Sequence, residues 1–493
     1  MFDENVDKRT YAMKDGDLFR RLLAYAKPYW LQFIFVFVLL FVASYAITEQ
    51  PLYIGQALDI VSVDGFDFSL IMNIVYRMIL IIVIYNSFTY INTIILQRIG
   101  QSIIYTIRQE IFTHLENHDI AYLNSSPTGS FVTRVTNDTN ILNEMFTSVI
   151  VSIIGSLFVI GNIIFKMINL DWRMALYVLI TIPIIVVITF IFRIAARKAY
   201  RTQRRNRSKV NAFLAEHLGG MKIIQIFNQE KRKFDEFDEL NTQLKYSFYK
   251  QILIFGIFRP AMYFMYIAAA LIVFYVGGVS VITGLISVGV VVTMHAFVGN
   301  LFEPINQLAE VYNVLQSAFA SAERIFGIMD TPPQIVDEED GIELVEMRGE
   351  IEFKDVWFKY VEDEWVLKGV SFKVLSKESV AFVGATGSGK TTILSLIVRN
   401  YDIQQGEILI DGINIKRIKK STLRRFVGQM LQDVFMFSGT IESNIKLLSK
   451  DITDNEMIEA CKYVNAHQFI DKLDHKYQEP VRERGNNFSS GQR

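Results

Sequence analysis

Covalent staples are missing from this chain. It has one cysteine, Cys461, in 493 residues, so no internal disulfide can form and no cysteine cluster can hold zinc. The expectation for Cys461 is a small buried hydrophobe. Proline is scarce at nine residues while 51% of residues are hydrophobic, which excludes a disordered chain. An excess of charge is missing too, with 50 Lys and Arg against 51 Asp and Glu. A nucleic-acid binder carries a strong positive excess, so nucleic acid is set aside as a partner.

What is present changes character near Asp330. Long apolar runs come before it; short alternating segments, glycine turns and charged stretches come after. Crossing the hydrocarbon layer takes about 20 mostly apolar residues. Six stretches qualify: Tyr29 to Thr48, Ile71 to Leu96, Phe146 to Ile168, Trp172 to Phe192, Ile252 to Val276 and Leu285 to Leu308. Residues 1–28 are read as a cytoplasmic interfacial helix, 29–330 as a transmembrane domain, 331–348 as a linker and 349–493 as a second domain. Asp17 to Lys27, with Leu18, Phe19, Leu22, Leu23 and Ala26 at helical spacing, is expected to lie along the membrane surface.

Lys and Arg in the connections set the orientation. The N-terminal 28 residues hold six, Gln97 to Asn143 three and Arg193 to Lys250 fourteen. The alternate connections hold none from Glu49 to Leu70, two from Lys166 to Arg173 and none from Gly277 to Gly284. The N-terminus and the second domain are therefore expected in the cytoplasm of a multi-pass protein of the plasma membrane. Two long inner connections, about fifty residues each, read as helical hairpins reaching roughly 30 Å beyond the membrane at 1.5 Å per residue. Their tips fall at Asn124 to Gly129 and at Gly219-Gly220. Inside the spans, Arg259 and Glu303 are expected to pair, and His295 to take a hydrogen-bonded packing role. Tyr263, Phe264, Tyr266, Phe274 and Phe297 are candidates for lining an apolar path.

The second domain opens with alternating apolar residues Ile351, Phe353, Val356 and Phe358. A short apolar strand, Ser379 to Val383, is expected to run into Gly384-Ala385-Thr386-Gly387-Ser388-Gly389-Lys390-Thr391-Thr392. This is a phosphate-binding P-loop. Its glycines let backbone N–H groups turn inward around phosphate oxygens, Lys390 meets the β and γ phosphates, and the Thr391 hydroxyl is a ligand for Mg²⁺. The apolar stretch Ile393 to Val398 supplies the helix whose N-terminus faces the anion.

A P-loop and six spans in one chain resemble the ATP-binding cassette (ABC) exporter family. The resemblance is to a half-transporter of the bacterial multidrug or lipid type and covers essentially the whole chain. It implies a membrane all-α six-helix transmembrane domain fused to an α/β P-loop NTPase nucleotide-binding domain. Val356-Trp357-Phe358-Lys359-Tyr360 resembles the strand whose last aromatic stacks on adenine, which implies that role for Tyr360. Leu431 to Ile441 resembles the glutamine loop, implying that Gln432 touches Mg²⁺ or the attacking water and senses the membrane domain. Arg482-Glu483-Arg484-Gly485 and then Phe488-Ser489-Ser490-Gly491-Gln492 resemble the cross-contact loop and the signature. Phe488 and Ser490 depart from the common Leu-Ser-Gly-Gly-Gln form. The resemblance implies that Ser489, Ser490, Gly491 and Gln492 bind the γ phosphate of ATP held by a second half-transporter, homo- or heterodimeric. Asp119 to Asp138 and Asn211 to Met221 resemble the two coupling helices and their surroundings.

The implied activity is ATP-driven export of a hydrophobic or amphipathic small molecule, lipid or peptide by alternating access. The alternatives are a non-catalytic ATP-binding partner subunit of a heterodimer, or an inactive fragment. Beyond the signature the family carries a strand ending Asp-Glu and a later switch His, neither of which is in this sequence. The expectation is the front portion of a longer chain, with hydrolysis by these residues alone crippled.

Overall fold

The computed structural model describes residues 13–63, 67–338, 340–362, 364–430, 434–447, 449 and 451–493. They divide into two compact units, Met1–His118 with Leu123–Pro332, and Asp119–Tyr122 with Pro333–Arg493.

The first unit is helical throughout. Its elements are α1 (Asp15–Ala26), α2 (Trp30–Val61), α3 (Phe68–Glu116), α4 (Ile120–Asn124), α5 (Thr128–Thr133), α6 (Thr139–Glu144), α7 (Ile150–Leu170), α8 (Trp172–Leu179), α9 (Thr181–Gly219), α10 (Met221–Ile226), α11 (Glu230–Ile282) and α12 (Val288–Met329), with part of α4 grouped with the second unit. Wide π turns at Arg134–Asp138 and Met145–Val149 join α5, α6 and α7. Among the described residues, six helical segments are long and apolar enough to cross a membrane. In hydrocarbon every backbone N–H and C=O must be satisfied within the segment, which is why apolar runs of this length are helices.

Helix ends run further than the apolar runs suggest. α2 continues through Pro51 to Val61 and α3 begins at Phe68, so most of the stretch expected as a loop from Glu49 to Leu70 is helical. Lys166, expected in an outer connection, lies inside α7 and is buried. Its ammonium pairs with Glu49 at 2.8 Å and donates to Thr48 Oγ1 at 2.8 Å, so the charge is neutralised rather than left in a dry place. Arg259 and Glu303 do not pair: Arg259 is exposed on α11, and Glu303 accepts from Gln307 Nε2 at 3.1 Å. The candidate path aromatics divide, with Phe297 in the core and Tyr263 and Phe264 exposed. His295 Nε2 lies 3.5 Å from Tyr266 Oη, and its buried Nδ1 has no partner among the described residues.

α1 does more than rest on a lipid surface. Leu18, Leu22 and Ala26 are buried in a core with Ile103, Ile107 and Ile111 of α3 and Ala322, Ile325 and Phe326 of α12. The apolar stripe finds protein because its rim is tied: Arg21 donates to both carboxylate oxygens of Asp330 at 2.5 and 2.7 Å, and Tyr25 donates to Glu110 at 2.6 Å. A second tie has its carboxylate buried. Asp138 accepts from Arg324 Nε at 2.9 Å and Nη2 at 2.5 Å, and from Ser321 Oγ at 2.9 Å.

At the other end of the bundle α2 and α12 cross at two glycines. A Cβ on Gly289 would lie 2.1 Å from the Gly55 carbonyl oxygen, and one on Gly55 would lie 2.1 Å from Thr293 Oγ1. Asp59 completes the crossing by capping the start of α12, accepting from Ser287 Oγ at 2.5 Å and Gly289 N at 2.7 Å.

The second unit builds a sheet in the order β2-β1-β3-β4 from β1 (Ile351–Lys359), β2 (Trp365–Val374), β3 (Gln405–Ile410) and β4 (Ile413–Asn414), every pair antiparallel. Phe353, Val356, Phe358 and Leu367 bury one face against α13 (Lys390–Ile397) and α14 (Lys420–Phe426). A smaller core holds β5 (Gly439–Thr440), α15 (Ile441–Lys446), α16 (Asp454–Tyr463), α17 (His467–Ile470) and β6 (Pro480–Val481), with Cys461 buried in it as expected. The stretch expected as a linker is packed: Ile342 bridges Ile418, and Lys420 Nζ donates to Ile335 O at 2.7 Å.

Gly289→Val should destabilise the α2–α12 crossing by about 1–3 kcal/mol through overpacking. The check is the melting temperature of the purified protein, which should fall while membrane insertion stays normal.

Candidate nucleotide site

The P-loop turns on two glycines in the left-handed region, Gly387 at φ +85° and Gly389 at φ +88°, which L side chains adopt only with strain. A side chain at two of its glycines would also push a neighbouring side chain aside. A Cβ on Gly389 would meet Leu367 Cδ2 at 2.8 Å, and one on Gly384 would meet Ser388 Oγ at 2.7 Å. Gly389 leads directly into α13, so Lys390, Thr391 and Thr392 form the helix's first turn, where N–H groups have no intrahelical acceptor. Lys390 Nζ donates to the carbonyls of Gly384 and Ala385 at 2.9 and 2.8 Å, which holds the ammonium over the loop.

The segment leading in differs from expectation. Residues 379–383 form no strand, and Val380 and Val383 are exposed. A strand is a paired state, and the β2-β1-β3-β4 ladder gives this apolar run no neighbour among the described residues.

Tyr360 comes to the same place from β1. Its hydroxyl donates to Thr392 Oγ1 at 3.1 Å, tying the end of the strand to the first turn of α13. The ring stands edge-on to Phe358 and Tyr401, with centroids at 4.8 and 5.0 Å, and is 48% exposed, which leaves aromatic surface open to a flat ligand. Tyr401 was not singled out by sequence reasoning; an aromatic just past the P-loop helix was the available signal. Arg399 was missed as well. It is buried and fixed by Asp402 at 3.2 Å, Lys416 O at 3.1 Å and Ile418 O at 3.3 Å, so it holds the far end of α13 in place.

Ser489 to Gln492 form a capped turn. Ser489 Oγ accepts from Gln492 N at 3.3 Å while Gln492 Oε1 accepts from Ser489 N at 2.9 Å, the reciprocal bonding of a capping box. Phe488 is buried beside Ile441 and Cys461, which anchors this turn from below, while Ser489, Ser490 and Gly491 are exposed. No hydrogen bond, ion pair or ring contact among the described residues joins these four to the P-loop of the same chain.

Gln432 lies outside the described residues. The segment after it, from Phe437 onward, is firmly held. Asn444 Oδ1 accepts from Phe437 N at 2.7 Å, and its Nδ2 donates to Phe437 O at 2.8 Å and Thr440 O at 2.9 Å. Thr440 and Ser443 add a capping box at the start of α15.

The tips of the long hairpins are short helices. Asp119, just before α4, accepts from the backbone N–H groups of Gln334 and Ile335. The second tip differs from expectation: Asn211 to Gly219 complete α9, and the short cross-helix is α10, which comes after the Gly219-Gly220 turn. Ile223 and Ile226 are exposed on it.

Residues 33–305 match the model of the ABC transporter transmembrane region, and residues 367–493 match that of the ABC transporter domain. The chain belongs to the ABC transporter family. It is 33% identical over 476 residues to the uncharacterized ABC transporter ATP-binding protein YknV of Bacillus subtilis, covering 96% of this chain and 78% of that one. With an ATP-dependent lipid A-core flippase of Syntrophus aciditrophicus it shares 30% over 478 residues, 97% of this chain and 79% of the other. With the probable multidrug resistance ABC transporter ATP-binding/permease protein YheH of Bacillus subtilis it shares 34% over 427 residues, 84% and 63%. The transporter is therefore a transport-coupled ATPase with its membrane region fused ahead of its nucleotide domain.

Asn444→Ala in this transporter removes three hydrogen bonds that hold the segment after Gln432. Limited proteolysis should show faster cleavage near Phe435 and Phe437, with the rest of the digestion pattern unchanged.

Proposed function

We propose that the protein is one half of a dimeric exporter that moves a hydrophobic or amphipathic molecule out of the cell. The observation that carries this reading is that a single chain holds both six membrane-length helices and a phosphate-binding loop at a helix start. ATP is the substrate of the nucleotide domain. Backbone N–H groups of Thr386 to Thr391 and the Lys390 ammonium hold its phosphates, Tyr360 stacks on its base, and Thr391 contributes a hydroxyl to Mg²⁺. Among the described residues no three His, Cys, Asp or Glu cluster to hold a metal ion.

A second subunit fits the capped turn at Ser489 to Gln492, which exposes the Ser489 and Ser490 side chains, leaves the Ser490 and Gly491 N–H groups outside its cap and, among the described residues, makes no hydrogen bond, ion pair or ring contact with its own P-loop. In a head-to-tail pair each capped turn covers the partner's γ phosphate, and ATP closes the two nucleotide domains on each other. The Lys and Arg balance of the connections supports a cytoplasmic nucleotide domain. Relatives named for lipid A-core, fatty acids and multidrug resistance support an apolar or amphipathic cargo.

Lys390→Ala should abolish ATP-dependent accumulation of an amphipathic fluorescent dye in inside-out vesicles, with the amount inserted in the membrane unchanged. Normal accumulation by that variant overturns the reading. Tyr360→Ala should raise the Kd for ATP roughly five- to tenfold, the worth of one base stack, whereas Tyr360→Phe should keep the affinity within about twofold.

A further inference from the structure

Where α9 leaves its apolar run at Phe192, the helix changes to one sign of charge. From Arg193 to Lys209 it carries eight Lys and Arg and no carboxylate. One face is occupied: Ala196, Ala199, Asn206 and Val210 are buried, and Asn206 Nδ2 donates to Gln243 O of α11 at 3.2 Å. The opposite face is open. There Phe190, Ile194, Arg197, Lys198 and Arg201 line a recess of about 610 Å³. Phe190 and Ile194 are 60% and 61% exposed, and Lys198 and Arg201 are exposed with them.

Arg197 Nη2 reaches Gln316 Oε1 of α12 at 3.1 Å, a neutral acceptor. No ion pair to Arg197, Lys198 or Arg201 exists among the described residues. Like charges three and four residues apart on one helix face repel each other, so an anion in the recess relieves a strain the chain leaves uncompensated. Position says which anion. At 1.5 Å per residue Arg197 lies roughly 6–8 Å and Arg201 roughly 12–14 Å past the end of the apolar run, the depth of the headgroup layer and its edge. The apolar pair sits one to two turns above, where an acyl chain begins.

We propose that this recess binds an anionic phospholipid of the inner leaflet, its phosphate held by Arg197, Lys198 and Arg201 and its acyl chain laid along Phe190 and Ile194. The site rests on the cytoplasmic orientation proposed above but not on export. Clustered Lys and Arg just past a membrane helix attract anionic headgroups, and removing three of them weakens that attraction roughly tenfold or more at low salt.

The test is lipid retention by the intact protein in neutral detergent, read by native mass spectrometry with added phosphatidylglycerol or phosphatidylcholine. The unmodified protein should retain phosphatidylglycerol preferentially. Arg197→Gln/Lys198→Gln/Arg201→Gln should lose about tenfold of that preference, while Arg204→Gln/Arg205→Gln/Arg207→Gln, with the same charge removed further along the helix, should keep it. The proposal is overturned by equal retention of the two lipids, or by equal effects of the two triple variants. It is overturned too by inorganic phosphate displacing the lipid at matched concentration, which marks a free-anion site, or by a change of oligomeric state in the first variant, which marks a subunit contact. Absence of dye transport by the unmodified protein, with its lipid preference intact, would overturn export and leave the lipid site standing.

Discussion

Hydrocarbon offers no hydrogen-bond partners, and that constraint shapes the membrane unit from end to end. It makes the apolar runs helices, and it favours partners within the protein for the polar side chains along them. Lys166 with Glu49 and Thr48, and Asp59 on the start of α12, are answers to the same demand. Two further ties are bidentate, Arg324 with Asp138 and Arg21 with Asp330. Packing between helices then needs only close approach, which the Gly55–Gly289 crossing supplies.

The nucleotide unit solves a different problem with short elements. It is built around a helix start at the P-loop and a capped turn near Ser489. At Gly389 a left-handed glycine begins α13, and at Ser489 a reciprocal cap holds the turn that ends at Gln492. Tyr360 links the sheet to the first of these through Thr392, and Arg399 fixes the other end of the same helix.

The six spans and the P-loop were legible in the sequence because each is a local pattern, an apolar run of fixed length or glycines at fixed spacing. The limits of the spans were not. Residues 49–61 contain Glu49, Pro51 and Asp59, which read as a loop until Lys166 and the start of α12 arrive from more than a hundred residues away. The docking of α1 escaped for a similar reason: Leu18 and Leu22 have the spacing of an interfacial stripe, and the core they join and the ties of Arg21 to Asp330 and Tyr25 to Glu110 come from residues far along the chain. Residues 379–383 show the converse, a strand-like composition with no ladder to join. The Ser489 to Gln492 spacing is itself a capping-box pattern, so that turn was readable without any family resemblance.

The grip of Asp119 on residues 334 and 335 uses only main-chain N–H groups. The carboxylate therefore does not recognise which side chains stand at those two positions; the burial of Ile335 constrains the second of them, and the first is left to vary. Proline is the one residue this latitude does not extend to, because it removes the donor itself. The two prolines already present, Pro332 and Pro333, stop one position short of that limit.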